Sequence, residues 1–422
     1  MNLNTLKLDS FIPKLCLYRT VLSLLTVTLC ACGRTEFTER EKNILDTLSL
    51  DKLRPPVSVS NRVATDKSAQ LFGEQLFNDK GLSSSGSFSC ASCHDPDNYF
   101  IDGLPTGVAQ EKTDRNTPAL HGVAWQSWFY WDGRRDSLWS QALTPIEAAK
   151  EMASDRVAAI RHISASPEYR SQYEAIFGTL PFQSNDAKLS VSATPIGNKV
   201  QKQQWNELPT DLRESINIVF SNIGKAIGAY QHTLAPIKTR FDLFQQEVAE
   251  GRNIKNITSL SKLELEGALL FLNEEKTQCL ECHNGPLLSN GNFHNIGTGN
   301  FTGPVYDFGR EFGSQSVLLD EFNCQGRFSD ARPDECLHLI YLNRDASHAR
   351  GAFKTPTLRN VPNTGPFFHD GRFTTMEQIV RHYSNPPFME QADPHELRAD
   401  FALDEKEVKA LSAFLQSFEP AE

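Results

Sequence analysis

The sequence predicts a mainly α protein of two domains related by internal duplication, with long loops and few strands. Three observations predict it. Residues 67–94 read KSAQLFGEQLFNDKGLSSSGSFSCASCH, and residues 262–283 read KLELEGALLFLNEEKTQCLECH. Each copy has a glycine ahead of an apolar pair (Gly73, Leu76, Phe77; Gly267, Leu270, Phe271) and then reaches Cys-x-x-Cys-His, the mark of a repeated unit. Long stretches also carry apolar residues at helical spacing, whereas strand signals are sparse.

The N-terminus reads as an export signal. Lys7, Lys14 and Arg19 make a basic leader, and Val21 to Leu29 is an apolar core too short to span a bilayer. Leu29-Cys30-Ala31-Cys32-Gly33 resembles a bacterial lipobox. Cleavage before Cys32 would free that thiol for a lipid, which tethers a soluble body without a spanning helix. An ordinary signal peptide cut nearby is the alternative. Gly33 carries no acidic retention signal, which favours the outer membrane. Residues 1–31 are therefore expected to be a lipoprotein signal peptide and 32–60 a polar tether.

Residues 61–245 and 246–402 are expected to be the two repeated domains. Ile216, Val219, Phe220, Ile223, Ile227 and Tyr230 fall on one face of a helix within Arg213–Leu234. Residues 181–210 read as an inserted surface loop, and 284–350 as mostly loop around the second site. Residues 403–422 read as a final amphipathic helix packing back.

The formal net charge is −10, and loss of the basic leader makes the mature chain more acidic still. Nucleic-acid binding is excluded on that balance; a basic redox partner would be steered well. Of the nine cysteines, Cys16 and Cys30 leave with the leader. Cys324 and Cys336 lie in a loop-like stretch. A disulfide is expected there in an oxidising compartment, and a metal clip would lack further ligands.

Cys-x-x-Cys-His has a mechanical logic. Two thiols on one turn add across the vinyl groups of a haem, and the following histidine binds its iron. Cys90, Cys93 and His94 would hold one haem c, and Cys279, Cys282 and His283 a second. A redox CxxC or half a zinc site are the alternatives for a single motif. Two motifs in duplicated surroundings point to two cytochrome c-like haem domains. The sixth ligand of each iron then separates electron carrier from catalyst.

Beyond these motifs the sequence resembles the bacterial dihaem cytochrome c peroxidase and MauG family over about residues 65–420. Arg115-Asn116-Thr117-Pro118 is similar to its R-N-x-P, and Trp131-Asp132-Gly133-Arg134 to its W-D-G-R. Phe353 to Asn360 (FKTPTLRN) and Phe368-His369-Asp370-Gly371-Arg372 match two further segments. The resemblance implies that the first haem binds peroxide and the second takes electrons from a donor. It implies Trp131 between the haems and Gln141 and Glu151 in the peroxide pocket, with Pro145 shaping its wall. Glu151 would ferry the proton that heterolytic cleavage requires.

Two departures bear on the chemistry. Family members that need prior reduction cap the first iron with a histidine from the loop before R-N-x-P. Residues 95–114 contain no histidine, only Gln110 in that region, and His121 reads as structural. The family's second sixth ligand, counted from His369, falls on Tyr383; ordinary members have Met there and MauG-type members Tyr. Met376, His382 and Met389 are rivals. The resemblance also implies an inter-haem calcium ion on Asn116, Thr364 and Pro366, oxygen ligands suited to a hard cation.

The expected activity is reduction of hydrogen peroxide with electrons from a small c-type cytochrome or cupredoxin, at the periplasmic face of a membrane. A MauG-like oxidase that modifies a partner protein with stored oxidising equivalents is the alternative, and a dihaem electron carrier a third. Against the MauG reading, Glu275-Lys276-Thr277-Gln278 stands where MauG has a tryptophan before its second motif.

Overall fold

The computed structural model describes residues 34–183, 185–299, 306–343, 345–385 and 402–421. The leader, Cys32 and Met389 lie outside them. Fourteen helices are described: α1 (Glu39–Thr47), α2 (Lys67–Asn78), α3 (Leu138–Glu147), α4 (Arg156–Ala165), α5 (Pro167–Phe177), α6 (Lys199–Glu207), α7 (Thr210–Gln231), α8 (Arg240–Ala249), α9 (Lys262–Phe271), α10 (Cys279–Cys282), α11 (Arg310–Leu319), α12 (Leu337–Ile340), α13 (Met376–Ser384) and α14 (Glu405–Gln416). The described strands are β1 (Phe293–His294) and β2 (Phe353–Lys354), antiparallel, with Phe293 opposite Lys354. No described helix is long and apolar enough to cross a membrane. The protein is mainly α.

The repeated glycines explain how each half is built. α2 starts at Asp66, whose carboxylate accepts from Ala69 N, and α9 at Ser261, whose hydroxyl accepts from Glu264 N. Each helix then crosses a second one at very short range. A Cβ on Gly73 would stand 1.9 Å from Ala226 O of α7, and one on Gly267 would stand 2.0 Å from Ala410 O of α14. Only glycine permits either crossing. The apolar pairs after the glycines fill the space beside it: Leu76 and Phe77 are buried in the first core, and Phe271 in the second. The α7 residues expected to face inward, Ile216 to Tyr230, are all buried in the first core.

The duplication extends further than the two haem motifs. At one constant spacing, Gly122 pairs with Asn360, Tyr130 with Phe368, Gly133 with Gly371, Ser137 with Thr375 and Pro145 with Tyr383. The backbone agrees position by position. Gly122, Asn360, Tyr130, Phe368, Gly133 and Gly371 all have positive φ. A two-residue bridge closes each turn, Phe129 with Arg135 and Phe367 with Phe373. Ser137 then caps α3 and Thr375 caps α13. Two copies of one turn–helix unit therefore deliver Pro145 and Tyr383.

Three regions differ from expectation. The stretch 32–60 is an ordered strap from residue 34 onward, in place of a loose tether. α1 is closed by a capping box of Thr38 and Glu41, and Phe37, Leu45 and Leu48 are buried in the second core beside Phe241 and Phe244 of α8. Leu45 O accepts from Gln245 and Leu48 O from Arg359; farther along, Arg54 O accepts from Trp125. Within 181–210, Phe182, Leu189, Ala193 and Trp205 are buried in the first core, so this polar-looking stretch is a lid on it. Within 284–350, α11 and the bonded pair Cys324–Cys336 organise the loops. Phe322 and Phe328 from this stretch insert into the first core. The final helix, α14, packs on α9, as expected.

Candidate haem sites

The two Cys-x-x-Cys-His turns have the same local geometry. His94 N donates to Cys90 O at 2.9 Å, and His283 N donates to Cys279 O at 2.8 Å. Each imidazole spends Nδ1 on a main-chain carbonyl: His94 on Phe100 O at 3.1 Å, His283 on Leu288 O at 3.0 Å. Both acceptor residues, Phe100 and Leu288, sit in the left-handed region. This bond fixes the ring and leaves Nε2 for a metal. Burial holds both rings neutral, with His283 lowered to about 4. Burial also pushes the thiols up, Cys90 to about 12 and Cys93 and Cys279 to about 11.

One cavity of about 1640 Å³ joins the two turns and has both His94 and His283 on its wall. That exceeds the space for a single drug-sized ligand, and with paired thiols and a fixed imidazole at each end it suits two haem groups. Cys93, Cys279 and Cys282 also line it. Cys90 lines a small adjoining pocket of about 50 Å³, shared with Cys93, His94, Gln141, Pro145 and Glu151.

That small pocket brings the residues expected for peroxide together beside the first histidine. Gln141 and Pro145 lie on α3, one helical turn apart, and Glu151 follows on the turn after it. Burial raises the Glu151 carboxyl above its usual range, and the Arg134 guanidinium only partly offsets this. Gln231 of α7 donates to Gln141 Oε1 at 3.3 Å, which orients the amide. Arg134 lies 3.5 Å over the Tyr130 ring. Burial and then Glu151 raise the Tyr130 hydroxyl to about 12. Tyr130, Arg134 and Gln231 were not singled out from sequence. Arg134 was visible within W-D-G-R; Gln231 comes from a distant helix and carried no local signal.

The loop 95–114, which contains no histidine, reaches this wall with other side chains. Its contributions are Pro105, Thr106, Gly107, Lys112, Thr113 and Asp114. Gln110 turns aside, donating from Nε2 to Ser85 Oγ at 2.7 Å. His121 does line the cavity, with Nδ1 held by Ala235 O at 3.1 Å.

At the second turn, Tyr383 lines the cavity. Burial, and then the neighbouring Cys282 and Cys279, raise its hydroxyl well above the usual range. Two of the rivals are placed elsewhere, and the third, Met389, lies outside the described residues. His382 bonds Ile296 O at 2.8 Å, and Met376 is buried in the second core away from the cavity.

Trp131 lines the same cavity. Its Nε1 donates to Asn116 O at 2.9 Å, and its own carbonyl accepts from Lys354 N at 2.8 Å. Asn116 N in turn donates to His369 O at 2.7 Å, so the wall is stitched from both halves. Arg115 adds ion pairs to Asp132 and Asp307, each at 2.7 Å. Asn116, Thr364 and Pro366 all reach the cavity. Asn116 Nδ2 is spent on Leu104 O, and the Thr364 hydroxyl on Val361 O. What these residues have left to offer is oxygen, which suits a hard cation.

Comparison with known proteins agrees with this layout. Residues 67–250 match the family described as "Di-haem cytochrome c peroxidase". The chain is 28% identical over 404 residues to "Methylamine utilization protein MauG" of Methylorubrum extorquens, covering 94% of this chain and 91% of that protein. It is 27% identical over 323 residues to "Cytochrome c551 peroxidase" of Nitrosomonas europaea, covering 76% and 74%. The fold matches that of the diheme peroxidase BthA from Burkholderia thailandensis with a TM-score of 0.61, 20% identity and coverage of 88% and 89%.

Proposed function

Because the chain belongs to the family of di-haem cytochrome c peroxidases and MauG-like proteins, oxidoreductases with two c-type haems, we propose that it reduces hydrogen peroxide to water at the N-terminal haem. Electrons enter through the C-terminal haem. The observation that carries this reading is the asymmetry of the duplicated unit: Pro145, which has no donor atom, stands where the other copy has Tyr383. The first site is left open to a small substrate, and the second is closed by a phenol.

A haem held at Cys90, Cys93 and His94 would supply the iron and the redox chemistry of peroxide reduction. The protein's own residues handle the protons. Glu151, kept from ionising by burial, takes the proton from the near oxygen and gives it to the far one, which leaves as water. Gln141, oriented by Gln231, hydrogen-bonds the bound peroxide. Pro145 limits the space around it. Trp131 couples the two sites, held by bonds from both halves. Asn116, Thr364 and Pro366 would hold a calcium ion through their oxygen atoms.

The donor is a small c-type cytochrome or cupredoxin, with a basic face suited to this acidic chain. On the same reading the mature chain begins at Cys32, is lipidated there and is held at the periplasmic face, outer membrane favoured. A second reading, oxidation of a partner protein in the manner of MauG, is favoured by Tyr383 and by the lack of a capping histidine in 95–114. The stretch Glu275 to Gln278 lacks a tryptophan to carry that chemistry outward.

The test is stopped-flow mixing of fully ferric protein with stoichiometric hydrogen peroxide, following the Soret band. An immediate spectral change is expected. A response only after one-electron reduction would mean a capped first haem, and no response in either state would leave an electron carrier.

A further inference from the structure

We propose that Asp136, Cys324, Cys336 and His338 form a latent site for a thiophilic d10 cation, Zn²⁺ or Cu⁺, closed while the two cysteines are disulfide-bonded and opened by reduction. Spacing in the sequence supplied two sulfurs and no further ligands. The fold supplies them. The donor atoms of Asp136, Cys324 and His338 all lie within 4.8 Å of one another. Cys336 is bonded to Cys324, so its sulfur joins the same cluster.

The carboxylate is the independent pointer. The Asp136 side chain is 0% exposed. Its Oδ2 accepts from Cys324 N at 2.7 Å and lies 3.3 Å from His338 Nε2. Its Oδ1 is buried with no hydrogen-bond partner. An unpaired buried carboxylate oxygen is costly, and a cation among these four groups would satisfy it. Two thiolates, an imidazole and a carboxylate make a closed tetrahedral set for zinc, and the soft sulfurs suit Cu⁺ as well. Val317 and Leu339 pack with the cysteines, and the Trp128 ring meets His338 edge to face with centroids 5.3 Å apart, so the surroundings are largely apolar.

The chemistry balances simply. A dithiol reductant gives two electrons and two protons to the Cys324–Cys336 bond and is itself oxidised to a disulfide. The cation then displaces the two thiol protons. Occupancy is felt at the inter-haem wall. The Arg310 guanidinium lies 4.0 Å over Trp128 and donates to Gly133 O at 2.8 Å, in the turn that carries Trp131.

The inference does not rest on the peroxide reading. Its test uses holoprotein with haem content measured, because the four motif cysteines are then consumed as thioethers and cannot take metal. Protein with and without tris(2-carboxyethyl)phosphine treatment is equilibrated anaerobically with Zn²⁺, desalted and analysed for zinc. Reduced protein should retain about one zinc per chain and oxidised protein none. Cys324→Ser with Cys336→Ser should abolish retention. His338→Ala, at a half-buried position that folding tolerates better, should weaken zinc affinity by about tenfold or more. No zinc gained on reduction would overturn the proposal, and so would retention that His338→Ala leaves unchanged.

Discussion

Pro145 and Tyr383 occupy the same position in the two copies of a duplicated turn and helix, and both reach the one cavity. A ring with no lone pair to give and a phenol are thus set against two similar histidine turns. Tyr383→Phe should change the spectrum of the second haem and leave peroxide binding at the first intact. Pro145→Tyr should do the reverse, giving the first haem a sixth ligand and suppressing its reaction with peroxide. Absorption and electron paramagnetic resonance spectra of the two variants check both. An unaltered spectrum in Tyr383→Phe would remove that residue from the ligand set.

Glu151→Gln keeps the size of the side chain and removes the transferable proton. Peroxide cleavage should slow by about 10²-fold or more, with the resting spectrum unchanged. Stopped-flow rates at several peroxide concentrations separate slower cleavage from weaker binding. An unchanged rate would place the acid–base function elsewhere.

Gly73→Ala and Gly267→Ala each push a methyl group into a main-chain carbonyl of the crossing helix. The helices must separate, at a cost of about 1–3 kcal/mol for overpacking, against less than about 1 kcal/mol gained in helix propensity. Both variants should melt several degrees below the parent in calorimetry. A raised melting temperature would show that the crossings are looser than 2 Å implies.

Glu247 on α8 provides a pH prediction. Burial alone would raise its carboxyl, but hydrogen bonds from Ser259 and Thr258 override that and bring it to about 2. A depressed carboxylate contributes stability above its unfolded value of 4.5, and that stability is lost as pH falls from there towards 2. The parent should therefore lose more stability than Glu247→Gln between those limits, by at most roughly 3 kcal/mol. Urea midpoints at pH 6 and pH 3 give the comparison; parallel losses would rule out this group as a source of acid sensitivity.

What could be read from sequence were features whose chemistry is local. The two Cys-x-x-Cys-His turns depend on short-range spacing, and the family resemblance pointed to the W-D-G-R turn and to Tyr383, both of which reach the cavity wall. The strap at 34–60 was misread because its helix is amphipathic only toward α8, far along the chain. Its start was nevertheless written in Thr38-x-x-Glu41, a capping box. Asn198-x-x-Gln201 marked the start of α6 in the same way, inside a stretch read as loop. Phe322 and Phe328 gave no sign of their destination, since nothing near them in sequence belongs to the first core. The fourth group of the latent metal site, Asp136, lies nearly two hundred positions from the cysteines it meets.

Phe322 and Phe328 also set an order of events during synthesis. The first Cys-x-x-Cys-His leaves the ribosome long before the two rings that complete the core above it. Until then the first half has an unfilled seam, and a truncated chain ending after α7 would carry it permanently. Haem attachment at Cys90 and Cys93 therefore has a long window in which this core is still incomplete, whereas Cys279 and Cys282, which precede Phe322 and Phe328 by far fewer residues, emerge late in the same window. The enzyme that attaches haem meets the two motifs under different time limits, although their local sequences are alike.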